Sequence, residues 1–340
     1  MSNTSLIQSL VKTNHQIMDY SNKEMEIQWD YKEEDISKKF LFFNVLKDGR
    51  IHVLASYVPD HLKVPPTDDQ ITGVKIKDVK ISPAVAVRIF LPLLQSPQQK
   101  VPVMVYVHGG GFCMRSAFSK RYTRLVANHV AQCNIIAVSV EYRRFPDHSI
   151  SACYDDSWTA LHWVASHSDP HSLLSNQGPC EPWIRDFADL NRIFIGGNSA
   201  GANICHTMMT NVKNKGLPGD TKIEGMILVH PYFGEDDKMW MYMCPINDGP
   251  RDPRMKPTEH DLAGLQCDRV LVIVAENDGL KDAGVRYVDE LKNSGWKGKV
   301  EFLENKDRGH SFHTSNYTDD EAIIINQRIK SFIHDHKVED

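Results

Sequence analysis

Residues 197–201 read Gly-Asn-Ser-Ala-Gly and place one serine among small residues, directly after the apolar run 192–197 and before the helix-like run 202–212. A strand that turns abruptly into a helix crowds the backbone at the turn, so only very small neighbours leave the hydroxyl there exposed. The N-terminus of the helix also favours developing negative charge. Although G-x-S-x-G alone arises by chance in many chains, this placement predicts that Ser199 is a nucleophile.

A second glycine-rich motif, His-Gly-Gly-Gly-Phe at 108–112, follows the apolar run 101–107. Consecutive glycines can form an ordinary tight turn. In a chain that also has a serine at a strand–helix turn, they let backbone N–H groups converge on the oxyanion of an acyl-transfer intermediate. Losing one such donor raises the barrier by about 3–4 kcal/mol. The two motifs together therefore indicate acyl transfer more specifically than either does alone.

A serine hydroxyl needs a base and an orienting carboxylate before it can attack a carbonyl. With this strand–turn–helix arrangement, the chain order is Ser, then Asp or Glu, then His. Asp278 lies in the loop after the apolar run 269–275. Glu276, nearer the strand end, and Asp282, nearer the next helix, are its competitors. The loop position favours Asp278 as the carboxylate.

The chain has 16 histidines, so residue type alone does not identify the base. His310 follows Gly309 in a loop before the last helix-like stretch, and His313 is the alternative. Chain order and loop position favour His310.

The elements that must position these residues are visible as short apolar runs that alternate with helix-like stretches. Uninterrupted β-branched runs suit strands covered on both faces, and strand–helix alternation indicates an α/β layer sandwich with a parallel sheet. Strands are predicted at 101–107, 134–140, 192–197, 223–229, 269–275 and 300–304, and helices at 124–132, 153–167, 202–212, 283–295 and 320–336. Antiparallel strands at 74–81 and 85–92, and a hairpin at 40–54 around Asp48-Gly49, are expected to add a mixed edge to the sheet.

Composition argues against several other classes of protein. The formal net charge is −5 and no block is rich in Lys or Arg, so no nucleic-acid partner is expected. No apolar run approaches a membrane-spanning length, so no membrane association is expected. The chain has neither G-x-G-x-x-G nor a P-loop, and the Asp236–Asp237 pair lacks further ligands at metal-binding spacing. The sequence therefore predicts no cofactor and no metal.

The cysteines and the first residues bear on the compartment. Seven cysteines are scattered without a C-x-x-C pair, which favours reduced thiols over a disulfide framework. The first 28 residues show no uncharged apolar core typical of a signal peptide. A cytoplasmic protein is the prediction.

Six short motifs then point to a known family: HGGGF at 108–112, EYR at 141–143, GNSAGANI at 197–204, HPYF at 230–233, END at 276–278 and GHSF at 309–312. From about residue 40 to the end, the chain resembles the plant carboxylesterases of the hormone-sensitive-lipase-like α/β-hydrolases. WTALHWVASH at 158–167 and NSGWKGKVEF at 293–302 are most similar to members of monoterpene indole alkaloid pathways, of the norfluorocurarine-synthase type.

The resemblance implies an α/β-hydrolase fold: a mostly parallel mixed sheet flanked by helices, with a helical cap. It implies a small-molecule ester as substrate, and in the alkaloid relatives a methyl ester whose freed acid loses carbon dioxide. A monomer or homodimer is expected. The resemblance also assigns the catalytic triad to Ser199, Asp278 and His310, and the oxyanion donors to Gly110, Gly111 and the amide of Ala200.

The expected organisation is an N-terminal extension or cap segment at 1–40, followed by the hydrolase domain at 41–340. Residues 230–264 fit neither a strand nor a simple helix and interrupt the alternation at a carboxyl-end loop, where open α/β sheets carry their sites. They predict a lid insertion at about 232–262.

Other functions are known on scaffolds of this type. The dehydratases that resemble the family carry Thr at the nucleophile position, and the cyclases tend to lose the histidine. The gibberellin receptors, which also lack it, use an N-terminal lid to hold the hormone. This chain keeps Ser199 and His310, which favours hydrolysis.

Asn198 replaces the usual Asp, a change expected to be tolerated because this side chain is not the nucleophile. Residues 143–151 also differ from the family, which predicts an altered pocket wall.

Overall fold

A computed structural model describes residues 31–54, 62–169 and 178–335 of the protein. Most of the predicted N-terminal segment 1–40 therefore lies outside the described residues. Within them the strands are β1 (Ile36–Lys39), β2 (Phe43–Leu46), β3 (Ile51–Val53), β4 (Lys75–Lys80), β5 (Ala86–Leu91), β6 (Val101–Val107), β7 (Ile136–Glu141), β8 (Ala188–Asn198), β9 (Ile223–Val229), β10 (Cys267–Ala275) and β11 (Lys299–Asn305).

The centre of the protein is an eight-stranded sheet in the order β11-β10-β9-β8-β6-β7-β5-β4. From β11 to β7 all neighbours pair in parallel, whereas β5 pairs antiparallel with both β4 and β7. Every residue of β6 is buried, as expected for a central strand covered by helices on both faces. The parallel arrangement brings the carboxyl ends of β6, β8, β9 and β10 to one edge of the sheet.

The hairpin predicted at 40–54 forms, but not at the expected place. Strands β2 and β3 pair antiparallel on either side of Asp48 and Gly49, and with β1 they make a separate three-stranded sheet. The prediction that this hairpin joins the mixed edge of the main sheet is wrong, and β4 and β5 alone form that edge. The separate sheet is held by its aromatic residues, because buried Phe43 packs against Phe145 with ring centroids 4.9 Å apart.

Helices flank the sheet, and several of them begin at a side-chain cap. They are α1 (Lys120–Cys133), α2 (Ser151–Ser166), α3 (Pro182–Phe187), α4 (Ala200–Lys215), α5 (Lys238–Met243), α6 (Glu259–Ala263), α7 (Lys281–Asn293) and α8 (Asp320–His334). Short 3-10 turns lie at Glu33–Asp35, Pro218–Asp220, Gly249–Arg251 and Phe312–Thr314. The side chain of Ser119 accepts the N–H of Tyr122 at the start of α1, and Asp319 caps α8 in the same way. The predicted helices all form, with boundaries shifted by a few residues.

The segment between β9 and β10 carries only the short helices α5 and α6 and one 3-10 turn. Its irregularity agrees with the pattern of residues 230–264, while a lid function for it stays a prediction. All seven cysteines are described and are free thiols. Among the residues that the structure describes, no helix is long and apolar enough to cross a membrane.

Candidate active site

Ser199 lies at a sharp turn between the end of β8 and the start of α4. Its φ of 55° and ψ of −122° are rare for a residue with a side chain, and such conformations persist only where surrounding contacts hold them. Two backbone hydrogen bonds stabilise this conformation. Ser199 N–H donates to Val229 O (2.9 Å), and Tyr232 N–H donates to Ser199 O (3.1 Å). The strained turn presents the serine hydroxyl at the carboxyl edge of the sheet.

The glycines on either side of Ser199 are required by close packing. A Cβ on Gly201 would lie 2.1 Å from the carbonyl oxygen of Val107, at the end of β6. A Cβ on Gly197 would lie 2.6 Å from the same oxygen. Helix α4 can therefore start directly against the end of the neighbouring strand, which is the role that the sequence pattern predicted for small residues.

The structure brings Ser199, Asp278 and His310 into one hydrogen-bonded line. His310 Nε2 lies 2.8 Å from Ser199 Oγ, and His310 Nδ1 lies 2.7 Å from Asp278 Oδ2. Asp278 follows β10, and its second carboxylate oxygen accepts the N–H of Leu280 at 2.9 Å. Ser199 is 5% exposed and Asp278 is 7% exposed, so both ends of the line are buried, whereas the side chain of His310 between them is 19% exposed.

The charge state of Asp278 is set by opposing influences. Burial by itself raises the pKa of this carboxyl. The neighbouring imidazole of His310 and the hydrogen bonds that Asp278 accepts outweigh this effect and hold the pKa below its usual value. Asp278 is therefore an anion, and its Oδ2 accepts the proton on His310 Nδ1. This tautomer leaves Nε2 of His310 free to accept the serine proton.

The competing residues lie elsewhere. Glu276 accepts the N–H of Asp307 at 3.0 Å, and Asp282 is an exposed residue in the first turn of α7. His313 is buried and packs edge-on against His230, with ring centroids 5.2 Å apart. Of the alternatives weighed for the carboxylate and the base, Asp278 and His310 contact each other, and His310 contacts Ser199.

The glycine motif after β6 forms a tight loop beside this line. Gly110 has a φ of 120° and Gly111 a φ of 56°, both in the region that favours glycine. A Cβ on Gly111 would lie 2.3 Å from the ring of Phe42, so the loop is also closely covered. Ala200 begins helix α4, so its N–H is one of the first N–H groups that have no partner within the helix, although the residue is buried. These positions suit the predicted oxyanion donors Gly110, Gly111 and Ala200, whose role stays a prediction.

Asn198 has a larger structural role than the sequence indicated. Its buried Oδ1 accepts hydrogen bonds from the hydroxyls of Tyr106 (3.2 Å) and Tyr122 (3.1 Å) and from the N–H of Gly109 (3.2 Å). Its Nδ2 donates to Ser311 Oγ at 3.2 Å. One amide thus joins the glycine loop, the serine turn and the loop of His310, a role that only its position next to the serine could have suggested.

His230 is a second residue to which the sequence analysis gave no role. Its Nδ1 accepts the N–H of Ser311 at 2.9 Å, and its ring lies parallel to that of Phe312. The motif HPYF was noticed only as part of the family resemblance. A histidine directly after a buried strand, at the same edge as the serine turn, was the available signal.

Asp278, His310 and His230 also place possible metal ligands within 4.8 Å of one another. Both ring nitrogens of His310 and Nδ1 of His230 are, however, engaged in the hydrogen bonds described above. The donor set therefore fits the hydrogen-bonded line described above, while Nε2 of His230 is buried with no hydrogen-bond partner among the residues that the structure describes.

A cavity of about 580 Å³ adjoins the glycine loop. Residues that follow the loop and residues of the stretch 143–151 form part of its wall, namely Cys113, Met114, Arg115, Ser116, Arg144, Phe145, Pro146 and Asp147. Its volume is in the range of small-molecule pockets. The stretch that departs from the family pattern thus lines a cavity next to the predicted oxyanion site.

Comparison with known proteins identifies the family. A family model described as an alpha/beta hydrolase fold matches residues 104–239 and 235–314. The chain belongs to this family, and the predicted fold is confirmed.

Three relatives place the chain more narrowly. It is 39% identical to probable carboxylesterase 1 of Arabidopsis thaliana over 86% of this chain and 95% of the relative. It is 35% identical to a 2-hydroxyisoflavanone dehydratase of Glycyrrhiza echinata over 85% and 93%. It is 39% identical to tabersonine synthase of Catharanthus roseus over 77% and 87%. The protein is a carboxylesterase-type hydrolase of the plant carboxylesterase family, as predicted.

Among solved structures, a thermostable esterase from Pseudomonas putida matches with a TM-score of 0.62 and 19% identity, over 78% of this chain and 84% of that one. At this identity the likeness concerns the fold.

Proposed function

We propose that the protein hydrolyses carboxylic esters through Ser199, with His310 as general base and acid and Asp278 as the orienting carboxylate. The observation that carries this proposal is the continuous hydrogen-bonded line from Ser199 Oγ through the imidazole to Asp278, with distances of 2.8 and 2.7 Å. No other constellation considered in the sequence has this geometry. The roles of the side chains follow from the atoms that face one another.

In the first half of the reaction, Ser199 Oγ attacks the ester carbonyl while His310 Nε2 takes the hydroxyl proton. The resulting imidazolium keeps its Nδ1–H on Asp278, which holds the ring in place and stabilises its charge. The N–H groups of Gly110, Gly111 and Ala200 bind the oxyanion. His310 then returns the proton to the leaving alcohol.

In the second half, water attacks the acyl-serine with the same imidazole as base, and the acid is released. The chemistry is complete with protein groups and water.

For the substrate, we propose a methyl ester of a monoterpene indole alkaloid intermediate. The support is the resemblance of residues 158–167 and 293–302 to alkaloid-pathway members, together with the 39% identity to tabersonine synthase. Hydrolysis of a β-oxo ester of this kind yields an acid that loses carbon dioxide.

For the location we propose the cytoplasm, on the grounds of the scattered cysteines, which are free thiols.

A second candidate is a cyclase or dehydratase acting on the same scaffold, because two of the similar relatives are named as a synthase and a dehydratase. The retained Ser199 and His310 argue for hydrolysis.

The test measures release of p-nitrophenol from p-nitrophenyl acetate by the wild-type protein and by Ser199→Ala. Removing a serine nucleophile lowers kcat by about a million-fold in a triad enzyme, so the variant should show no activity above background. Ser331→Ala, in α8, is the matched control and should match the wild type.

The alternatives give different results. If wild type and Ser199→Ala are equally inert toward simple esters while an alkaloid substrate is still converted by both, the cyclase or dehydratase function replaces the hydrolase. If the protein that cleaves p-nitrophenyl acetate also releases methanol from an alkaloid methyl ester, in an amount equal to the acid and its decarboxylated product together, the substrate proposal stands.

A further inference from the structure

The short segment 229–232, which begins at the last residue of β9, contacts the serine turn through backbone hydrogen bonds. Ser199 N–H donates to Val229 O at 2.9 Å, and Tyr232 N–H donates back to Ser199 O at 3.1 Å. This segment therefore binds both backbone polar groups of the strained Ser199, whose carbonyl also accepts the N–H groups of Ala202 and Asn203 in α4. Its position fixes the position of the serine.

The same segment contacts the loop that carries His310. Between the two contacts to Ser199 lies His230, whose Nδ1 accepts the N–H of Ser311 at 2.9 Å. Ser311 is the neighbour of His310 along the chain. The ring of His230 lies almost parallel to that of Phe312, with centroids 5.8 Å apart and an angle of 28° between the planes. A single residue thus links the turn of Ser199 to the loop of His310.

His230 is itself fixed by the strand that leads to Asp278. Its N–H donates to the carbonyl of Ile273, in β10, at 2.7 Å. His230 has a backbone φ of 48°, and its side chain lies against the His310 loop. The residue is only 1% exposed. All three segments that bear the proposed triad therefore meet at the segment around His230.

The protonation state of His230 suits an acceptor. Burial lowers its pKa to about 4, although the nearby Asp278 opposes this effect. The ring is neutral, and because Nδ1 accepts the N–H of Ser311, the proton is on Nε2. Phenylalanine in this place would offer no acceptor and would leave the amide of Ser311 without its partner.

We propose that His230 is a positioning residue that sets the distance between Ser199 and His310 through the hydrogen bond from Ser311 N–H. The inference rests on the proposed hydrolase function. Since reacting groups that are displaced by about 1 Å cost about 100-fold in rate, losing this hydrogen bond should lower kcat far more than it changes KM.

Two variants separate the acceptor from the ring. His230→Phe keeps an aromatic ring against Phe312 and loses the acceptor, and an aromatic residue already has a positive φ at Phe112. His230→Asn loses the ring but keeps an oxygen acceptor close to the place of Nδ1, and Asn tolerates this backbone conformation. With p-nitrophenyl acetate, His230→Phe should lose about 100-fold in kcat with KM nearly unchanged, whereas His230→Asn should keep most of the wild-type kcat.

Hydrogen–deuterium exchange provides a readout that does not depend on ester hydrolysis. The amide of Ser311 should exchange faster in His230→Phe than in the wild type and should stay protected in His230→Asn. If His230→Phe does not fold, His230→Gln replaces it, because glutamine carries its acceptor one bond further from the backbone.

The reverse order of kcat, with His230→Asn impaired and His230→Phe active, would show that ring packing matters and would overturn the inference. Equal kcat in both variants and the wild type, or unchanged exchange at Ser311, would also overturn it. A wild-type protein that hydrolyses no ester refutes the proposed function, and the exchange measurement then still decides whether His230 holds the loop.

Discussion

The edge of the sheet that carries the candidate active site and the predicted lid segment lie side by side, but they are held together in different ways. At the edge, buried backbone and side-chain groups bind one another directly, as in the two bonds between Ser199 and residues 229–232 and the bonds of Asn198. The predicted lid segment, at about 232–262, has a buried anchor in Trp240, whose Nε1 donates to Tyr154 at 3.2 Å. Its outer face is held by surface ion pairs.

Those surface pairs are partly exposed, unlike the pair of Arg254 with the buried Asp252 in the same segment. Lys256 binds Glu235 and approaches Glu290 at 3.7 Å, and Lys238 binds Asp236. Exposed pairs of this kind contribute about 0–1 kcal/mol each. The comparison indicates that the edge fixes the reaction, whereas the lid segment can change with little effect on the chemistry. Substitutions at the edge should therefore affect every ester, and those in the lid should affect mainly the choice of ester.

The largest expected effect is on Asp278→Asn. Without the carboxylate, His310 loses the partner that selects its tautomer, and kcat should fall by about 10⁴-fold. The measurement is kcat for p-nitrophenyl acetate, with the exposed Asp282→Asn as control. A loss of similar size in the control would place the orienting carboxylate at Asp282 and contradict its assignment to Asp278.

The next effect is expected at Gly111→Ala. Its Cβ would meet the Phe42 ring at 2.3 Å, at a φ that disfavours alanine, so the loop must move and its N–H donors with it. Loss of one oxyanion donor corresponds to about 100-fold or more in kcat. Gly49→Ala is the matched control, because Gly49 has a positive φ of 90° but open space around it. Equal losses in both variants would mean that backbone strain, and not the oxyanion loop, is the cause.

A smaller effect concerns acid stability. Burial lowers the pKa of both His108 and His230 to about 4, whereas an unfolded histidine has a pKa of about 6.5. Between these pH values only the unfolded chain takes up the protons, so the free energy of unfolding decreases as the pH falls, by about 1.4 kcal/mol per pH unit for each histidine. Urea unfolding at pH 6.5 and 4.5 should show a weaker pH dependence for His230→Asn than for the wild type.

The lid provides the comparison for that measurement. Ile246 is 83% exposed and has no titratable side chain, so Ile246→Asn should leave the pH dependence as it is in the wild type. An equal change in both variants would show that the acid sensitivity does not come from the buried edge.

The smallest effect is expected for Lys256→Gln in the lid. Its ion pairs are partly exposed, so the free energy of unfolding should change by less than about 1 kcal/mol. The kcat with p-nitrophenyl acetate should stay within about twofold of the wild type. This change is far smaller than the loss of kcat expected when one oxyanion donor is removed. A tenfold loss of kcat would contradict the separation of lid and edge.

Much of the fold was predictable because local patterns carry it. Runs such as 101–107 and 269–275 are buried on both faces, and burial on both faces demands uninterrupted apolar residues. The serine turn was predictable because a close approach to Val107 excludes any Cβ at Gly197 and Gly201. Both patterns are local in the sequence, although the contact that the two glycines permit is with Val107 in a distant strand.

The place of the hairpin and the roles of Asn198 and His230 were not predictable in this way. The hairpin at 40–54 has the expected turn, but whether it joins the main sheet depends on the distant Phe145. Asn198 was judged only as a replacement next to the nucleophile. Its partners Tyr106, Tyr122 and Ser311 come from three other parts of the chain.

The amino-acid sequence by itself determined which residue types stand at the ends of the strands: a serine between glycines, a glycine run, an aspartate and a histidine in the necessary order. Only the tertiary structure decided that Asp278 and His310, and not Glu276, Asp282 or His313, form one line with Ser199. The physical reason is that a hydrogen bond requires a separation of about 3 Å. For residues 111 positions apart in the chain, such as Ser199 and His310, the packing of strands and loops sets that separation.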